Sequence, residues 1–250
     1  MMKKPIIEVK DVCVKYSENT ILENITFDVY EGEILVIVGG SGCGKSVLLK
    51  QITGLEMPTS GDVKIHGENL TNANDEIKRK IQKKFGILFQ SSGLFASMTL
   101  AENIALLLES FTDLTEDEIS DIIDIKLSAV GLDGYRNYLP SEISGGMKKR
   151  AALARALALD PDILFFDEPS SGLDPVTAAS LDNLIKNLNE SLGMTMVVVS
   201  HDLASIGNIA HRVILLDKEA KGIIATGTAE EMKRNRENEK VYNFFNRIAN

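Results

Sequence analysis

Unbroken apolar runs of strand length recur along the chain: Ile34-Leu35-Val36-Ile37-Val38, Ile163-Leu164-Phe165-Phe166, Met196-Val197-Val198-Val199 and Val213-Ile214-Leu215-Leu216. Segments with helical spacing separate them. A run with no polar alternation suits a strand covered on both faces, so the pattern predicts a parallel sheet flanked by helices, an α/β fold. The N-terminal part reads differently. Ile7-Glu8-Val9-Lys10, Ile25-Thr26-Phe27-Asp28-Val29 and Val63-Lys64-Ile65-His66 alternate apolar and polar residues, as half-buried antiparallel strands do. Glu31-Gly32 and His66-Gly67 supply turns beside them.

Residues 91–159 read as dominantly helical. Thr115-Glu116-Asp117-Glu118 has the spacing of a capping box, and Ile119, Ile122, Ile123 and Val130 roughly share one face. The basic run Lys78-Arg79-Lys80 with Lys83-Lys84 reads as a solvated helix face. Near the C-terminus, Thr228-Ala229-Glu230-Glu231 resembles a second capping box, and Val241, Phe244, Phe245 and Ile248 stand at i, i+3, i+4 and i+7. That stripe can dock a helical tail, about 228–250, onto a second copy or an accessory subunit, or pack it on its own domain. No internal repeat and no linker divides the chain, so residues 1–250 read as one composite domain.

Composition narrows the class without choosing it. The chain has 250 residues, 44% of them hydrophobic, and 27 basic against 36 acidic residues give a net charge of −9. The apolar fraction argues against disorder, and the acidic balance against coating DNA or RNA. Two cysteines, Cys13 and Cys43, exclude a disulfide-rich secreted scaffold. No apolar run approaches the roughly 20 residues of a membrane-spanning helix. Pro5-Ile6-Ile7-Glu8 follows Lys3-Lys4 too closely for a signal-like core. The expectation is a cytosolic protein.

Local motifs supply the chemistry. Gly39-Gly40-Ser41-Gly42-Cys43-Gly44-Lys45-Ser46 fits G-x-x-x-x-G-K-[ST], between an apolar run and the start of a helix at Val47-Leu48-Leu49-Lys50. Glycines let successive N–H groups converge on phosphate oxygens, a helix N-terminus adds positive potential, Lys45 reaches the β- and γ-phosphates, and the Ser46 hydroxyl suits Mg²⁺. The plain alternative is a Gly-rich turn without a ligand. Asp167-Glu168 ends the apolar run 163–166 and delivers two carboxylates to the end of a strand, where α/β folds bind ligands. Asp167 suits Mg²⁺ and Glu168 suits a general base. Ser144-Gly145-Gly146 opens another helical segment, either as a simple cap or as a second phosphate-reading amide cluster facing the nucleotide of another copy. Cys43 is either a thiol with a lowered pKa or just a small residue that fits the loop.

Over nearly its whole length the chain resembles an ATP-binding cassette ATPase. Ser144-Gly145-Gly146 resembles that family's signature, and Gln90 matches the glutamine that senses Mg²⁺. Ser171-Gly172-Leu173-Asp174 matches the loop crossing the dimer interface, His201 the histidine on the γ-phosphate, and Tyr16 the aromatic that stacks on adenine. The resemblance implies a RecA-like P-loop NTPase core with an antiparallel β-subdomain and an inserted helical subdomain. It implies ATP and Mg²⁺ as ligands, with Ser46, Gln90 and Asp167 at the metal, Lys45, Gln90, Glu168 and His201 in catalysis, and further nucleotide contacts at residues 39–47 including Val47. It also implies a head-to-tail pair of copies, each ATP lying between one copy's phosphate loop and the other's Ser144-Gly145-Gly146, with Asp174 coupling the two sites.

A narrower similarity, carried by Phe89-Gln90-Ser91-Ser92-Gly93-Leu94-Phe95 and Ser141-Glu142-Ile143-Ser144-Gly145-Gly146-Met147, is to the ATPase subunits of bacterial phospholipid transporters of the mammalian-cell-entry type. Met147 stands where most cassettes have Gln. The similarity implies integral-membrane permease subunits, a small accessory subunit among the candidate partners, phospholipid as the cargo, and a place on the cytoplasmic face of the inner membrane. Leu94, Phe95 and Met98 read either as the apolar wall that receives the permease or as helical core. Alternatives are transport of another solute, or a soluble cassette acting in DNA repair or translation. Repair relatives carry a long coiled-coil insertion and translation relatives two cassettes in one chain, and neither fits 250 residues with one set of motifs.

Overall fold

The computed structural model describes residues 4–248. β1 (Pro5–Tyr16) and β2 (Asn19–Tyr30) pair antiparallel; β3 (Ile34–Gly39) follows and leads into α1 (Lys45–Thr53). β4 (Ser60–Ile65) pairs antiparallel with β1 and turns through His66-Gly67 into β5 (Glu68–Asn69). Both turn residues have positive φ, 52° and 80°, as a tight hairpin requires, so the strand expected over 63–66 stops at Ile65. These strands form a sheet in the order β2-β1-β4-β5. Ile7, Val9, Ile25, Phe27, Val29, Val63 and Ile65 are buried along it, while Lys10, Thr26 and Lys64 face solvent, so the alternation is real.

α2 (Asp75–Gln82) carries Lys78-Arg79-Lys80, with Arg79 and Lys80 exposed and Ile81 buried, while Lys83 and Lys84 lie beyond its end. Then come β6 (Phe85–Leu88), α3 (Leu100–Phe111), α4 (Glu116–Ala129), a 3₁₀ turn at Pro140–Glu142 and α5 (Gly145–Ala156). β7 (Ile163–Asp167), α6 (Pro175–Leu192), β8 (Thr195–Val199), α7 (Leu203–Ile209), β9 (Arg212–Asp217), β10 (Gly222–Gly227), α8 (Ala229–Arg234) and α9 (Glu239–Asn246) complete it. The second sheet runs β10-β9-β3-β8-β7-β6 and is parallel except for β10.

Each run that lacked alternation feeds two cores. Ile34, Val36, Val38, Leu164, Phe166, Met196 and Val198 face the helices. Leu35, Ile37, Ile163, Phe165, Val197 and Val199 face the antiparallel sheet and α1. With period-two geometry and apolar material on both sides, every position must be apolar, which is why these strands look alike in sequence. Each fully buried Val, Leu, Ile or Phe contributes roughly 1.5–3 kcal/mol of burial free energy.

The span 91–159 is less helical than its composition suggests. The first helix starts only at Leu100, and the residues ahead of it form turns locked by Asn103, which is fully buried. Its side-chain oxygen accepts from Phe95 N–H at 2.8 Å, and its amide donates to the carbonyls of Phe95, Met98 and Thr99 at 2.9–3.1 Å. The capping box at Thr115 and Glu118 forms, and Thr99 with Glu102 makes another. Ile119, Ile123 and Val130 are buried, Ile122 packs beside them, and this core runs without interruption into that of the sheet.

α8 has its expected capping box at Thr228 and Glu231. Val241 and Phe245 of α9 are buried in the chain's own core and Phe244 packs partly against it, while Ile248 lies beyond the helix, half exposed. Packing on its own domain therefore accounts for the apolar face of α9. The last two residues of the expected 228–250 tail lie outside the described residues.

Candidate active site

The site begins at β3, whose last residue is Gly39. A Cβ there would stand 2.5 Å from both Cys43 Sγ and the Leu216 carbonyl oxygen, so the loop can leave the sheet this tightly only with glycine. Among the described helices of the α type, α1 alone has no side-chain N-cap. Its first N–H groups are left open toward a cavity of about 590 Å³ lined by Gly39, Gly40, Ser41, Gly42, Gly44, Lys45, Ser46, Val47, Gln90, Glu168, His201 and Phe244. Lys45 Nζ donates to the carbonyls of Gly39 and Gly40 at 2.9 and 3.1 Å, which bends the lysine back over the loop. The arrangement is a cradle of amides plus one cation, suited to a polyphosphate.

β7 delivers the acidic pair. Asp167 accepts from the Ser46 hydroxyl at 3.0 Å; burial pushes its pKa up, against the pull of that hydrogen bond. Two hard oxygen donors thus meet at the mouth of the phosphate loop. This is the kind of donor set Mg²⁺ takes alongside phosphate oxygens and water, so the residues fit that ion. Among the described residues no cluster of three or more His, Cys, Asp or Glu forms a metal site of its own.

Glu168 is buried and has φ of 51°, an unusual backbone for a non-glycine residue and one that costs about 1–3 kcal/mol. Its N–H donates to the Val199 carbonyl at 2.9 Å, pinning the turn to β8. The chain leaving β8 presents His201, whose Nδ1 lies 2.6 Å from Glu168 Oε2. A carboxylate only accepts, so a proton on Nδ1 makes this contact a hydrogen bond.

Gln90 follows β6 and is held twice. Its side-chain amide donates to Ser171 Oγ at 3.3 Å, and its carbonyl accepts from Lys149 Nζ at 2.6 Å. Lys149 is buried on α5; burial pulls its pKa down, against the opposing pull of Asp167 and Glu168. It ties the helix that begins at Ser144-Gly145-Gly146 to the Gln90 loop. Lys149 and Phe244 are site residues that motif reading passed over. Lys149 gave no signal of its own, because it stands between Lys148 and Arg150 and reads as part of a basic run.

The remaining expected residues do not line this cavity. Ser144 caps α5 by accepting from Met147 N–H at 3.3 Å, and both Ser144 and Gly145 are exposed. A Cβ at Gly146 would stand 2.4 Å from Thr177 Cγ2, so a glycine is needed where α5 meets the start of α6. Asp174 caps α6, accepting from the N–H groups of Val176 and Thr177 and from the Thr177 hydroxyl, bonds that hold its carboxyl below the usual range. Tyr16 ends β1, its hydroxyl on Glu56. Cys43 Sγ points into the core between the sheets, and burial raises its pKa, so the loop does not make an acidic thiol of it. Its backbone keeps its place in the loop.

Of the three residues weighed as a permease wall, Leu94 packs against the helical core and Met98 is half-buried. Phe95 is 51% exposed and stacks with Arg155 beside an open groove of about 550 Å³ that also includes Phe89, Gly93 and Leu107. No helix among the described residues is long and apolar enough to cross a membrane.

Comparison with known proteins gives a consistent result. The family profile for ABC transporters matches residues 22–171. The intermembrane phospholipid transport system ATP-binding protein MlaF of Haemophilus influenzae (strain Rd) is 41% identical over 232 residues, 92% of this chain and 87% of that protein. The protein of the same name from Escherichia coli K12 is 40% identical over 245 residues, 98% of this chain and 90% of that protein. Among solved structures, a dimeric post-hydrolysis state of the ATP-binding cassette MJ0796 bound to ADP and Pi superposes with a TM-score of 0.80 at 33% identity, covering 89% of this chain and 98% of that one.

Proposed function

This chain belongs to the ABC transporter family and is an ATP-hydrolysing cassette, and from that premise we propose that it drives phospholipid transport as the ATPase subunit of a complex on the cytoplasmic face of the inner membrane. One observation carries the chemistry: the uncapped helix N-terminus with Lys45, Ser46 and the Glu168–His201 pair border a single cavity, and Ser46 brings Asp167 to it through a hydrogen bond. The similarity to the two MlaF proteins over nearly their whole length supports the lipid cargo in preference to another solute. It also speaks against a repair or translation cassette.

In this reading the amides of residues 39–46 and Lys45 hold the β- and γ-phosphates. Ser46, Asp167 and Gln90 hold Mg²⁺, which supplies charge neutralisation on the phosphates. Glu168 orients the attacking water and takes its proton, while His201 keeps the carboxylate in place through Nδ1 and turns Nε2 toward the γ-phosphate. Most of the rate comes from positioning and electrostatics, because phosphoryl transfer demands little covalent chemistry of the protein. Tyr16 stacks on adenine. Two copies pair head to tail, Ser144-Gly145-Gly146 completing the partner's site and Asp174 linking the two, and the dimeric MJ0796 cassette supports that pairing. Residues 91–159 act as the subdomain that meets the permease, with Phe95 in the groove as its contact.

The test is Glu168→Gln. The variant should bind ATP as the wild type does and turn over roughly 10²–10⁴-fold more slowly. Purified from native membranes in its ATP-trapped state, it should bring down integral-membrane chains and phospholipid. Wild-type turnover removes Glu168 from the base role. Recovery with a permease that carries no lipid overturns the cargo assignment.

A further inference from the structure

Tyr16 sits at the end of β1 with 45% of its surface exposed, so packing alone does not fix its ring. Its hydroxyl donates to Glu56 Oε2. The other carboxylate oxygen of Glu56, Oε1, lies 2.7 Å from Lys50 Nζ. Lys50 stands on α1, and Glu56 follows that helix directly, its own N–H donating to the Lys50 carbonyl at 3.2 Å. A continuous chain of contacts thus runs from an otherwise loosely held aromatic ring to the helix whose first residues are the phosphate-binding Lys45 and Ser46.

We propose that Glu56 is a positioning residue for the nucleotide base, holding the Tyr16 ring at a fixed offset from the phosphate loop so that base and phosphates are gripped together. The inference rests on the reading that adenine stacks on Tyr16. An exposed tyrosine samples several rotamers, and a ring that must be ordered at binding weakens binding; a tether made beforehand removes that cost. The ionisation states suit the tether. The hydrogen bond to Glu56 pushes the Tyr16 phenol up, keeping it a donor, and the bonds from Lys50 and Tyr16 hold the Glu56 carboxyl below its ordinary value, keeping it an ionised acceptor. A neutral donor on a charged acceptor is the stronger kind of hydrogen bond.

The experiment uses steady-state ATPase kinetics of the full-length chain, with inorganic triphosphate as a competitor that has phosphates but no base. Glu56→Ala should raise KM for ATP by roughly threefold to tenfold with kcat within about twofold of wild type. Inhibition by triphosphate should not change. Tyr16→Phe keeps the ring but loses the tether; it should raise KM by the same factor, and the double variant should be no worse than either single one. Glu56→Gln, whose amide oxygen still accepts from the phenol, should recover part of the loss. An unchanged KM in Glu56→Ala, multiplying effects in the double variant, or parallel weakening of triphosphate each overturn the proposal. Tyr16→Ala separates the two levels. If it leaves KM unchanged, the stacking reading itself fails. If it raises KM while Glu56→Ala and Tyr16→Phe do not, stacking stands and the role of Glu56 falls.

Discussion

Cys43 shows how much a single position can mislead when its backbone and side chain face different ways. Its N–H group sits in the phosphate loop, while the residue is only 2% exposed and belongs to the core that includes Leu35, Ile37 and Leu216. Burial disfavours the thiolate and outweighs the pull of nearby Lys45, so the thiol titrates above its ordinary range. The thiolate fraction at neutral pH falls, and with it reactivity. At pH 8 an alkylating reagent should therefore modify the half-buried Cys13 first and Cys43 several-fold more slowly, the gap closing in denaturant; mass spectrometry of the digested protein reads this directly. Equal rates in the native chain would place the thiol in the nucleotide cavity. The spacing 39–46, by contrast, was legible because its chemistry is local: eight consecutive residues carry the loop, its cation and its hydroxyl. Lys149 and Phe244 were not legible, because each reaches the site from a different element, Lys149 to Gln90 across 59 residues and Phe244 from α9 at the far end of the chain.

Among the elements, the clearest signals came from caps and from strands buried on both faces. Thr115 with Glu118 and Thr228 with Glu231 both form capping boxes, and all four unbroken apolar runs lie in β3, β7, β8 and β9. Two of the edge strands, β5 and β10, were obscure. β5 has only two residues, and β10 begins and ends in glycine and is largely half-buried, so neither carries a period long enough to read. α9 shows what periodicity can and cannot say. The spacing identified an apolar face, but intervals alone do not name what covers it. Val241 and Phe245 enter the chain's own core, and Ile248 falls after Arg247, whose left-handed backbone ends the helix. Phe245→Ala should lower unfolding free energy by about 3 kcal/mol, since it empties a packed site. Ile248→Ala, 49% exposed, should stay within about 0.5 kcal/mol. Urea melts of the two variants check the pair, and the opposite ranking would mean that Ile248 is covered in solution.

For the whole molecule, the salient fact is a separation. Ser144-Gly145-Gly146, the segment that most narrowly identified the family, does not line the cavity that holds Lys45, Glu168 and His201. Within one copy it only caps α5 and meets Thr177, so the phosphate-reading role proposed for it needs a second copy. A two-fold pair supplies this twice over, because each loop of one copy then faces the signature of the other. Each copy carries a charge of −9, so the pairing works against long-range repulsion that physiological salt screens over about 8 Å. The arrangement has a consequence that no arrangement within one copy shares. Lys45→Ala disables a copy's own phosphate loop, and Ser144→Arg disables what that copy offers its partner, so each variant alone should be inactive. Mixed at equal amounts, half of the pairs contain one of each. In such a pair one site holds both defects, while the other holds a sound loop and a sound signature. Mixing should therefore restore roughly a quarter of wild-type ATPase activity if the two sites of a pair act independently. If Ser144 served the loop of its own copy, every site in the mixture would carry one defect and activity would stay at baseline.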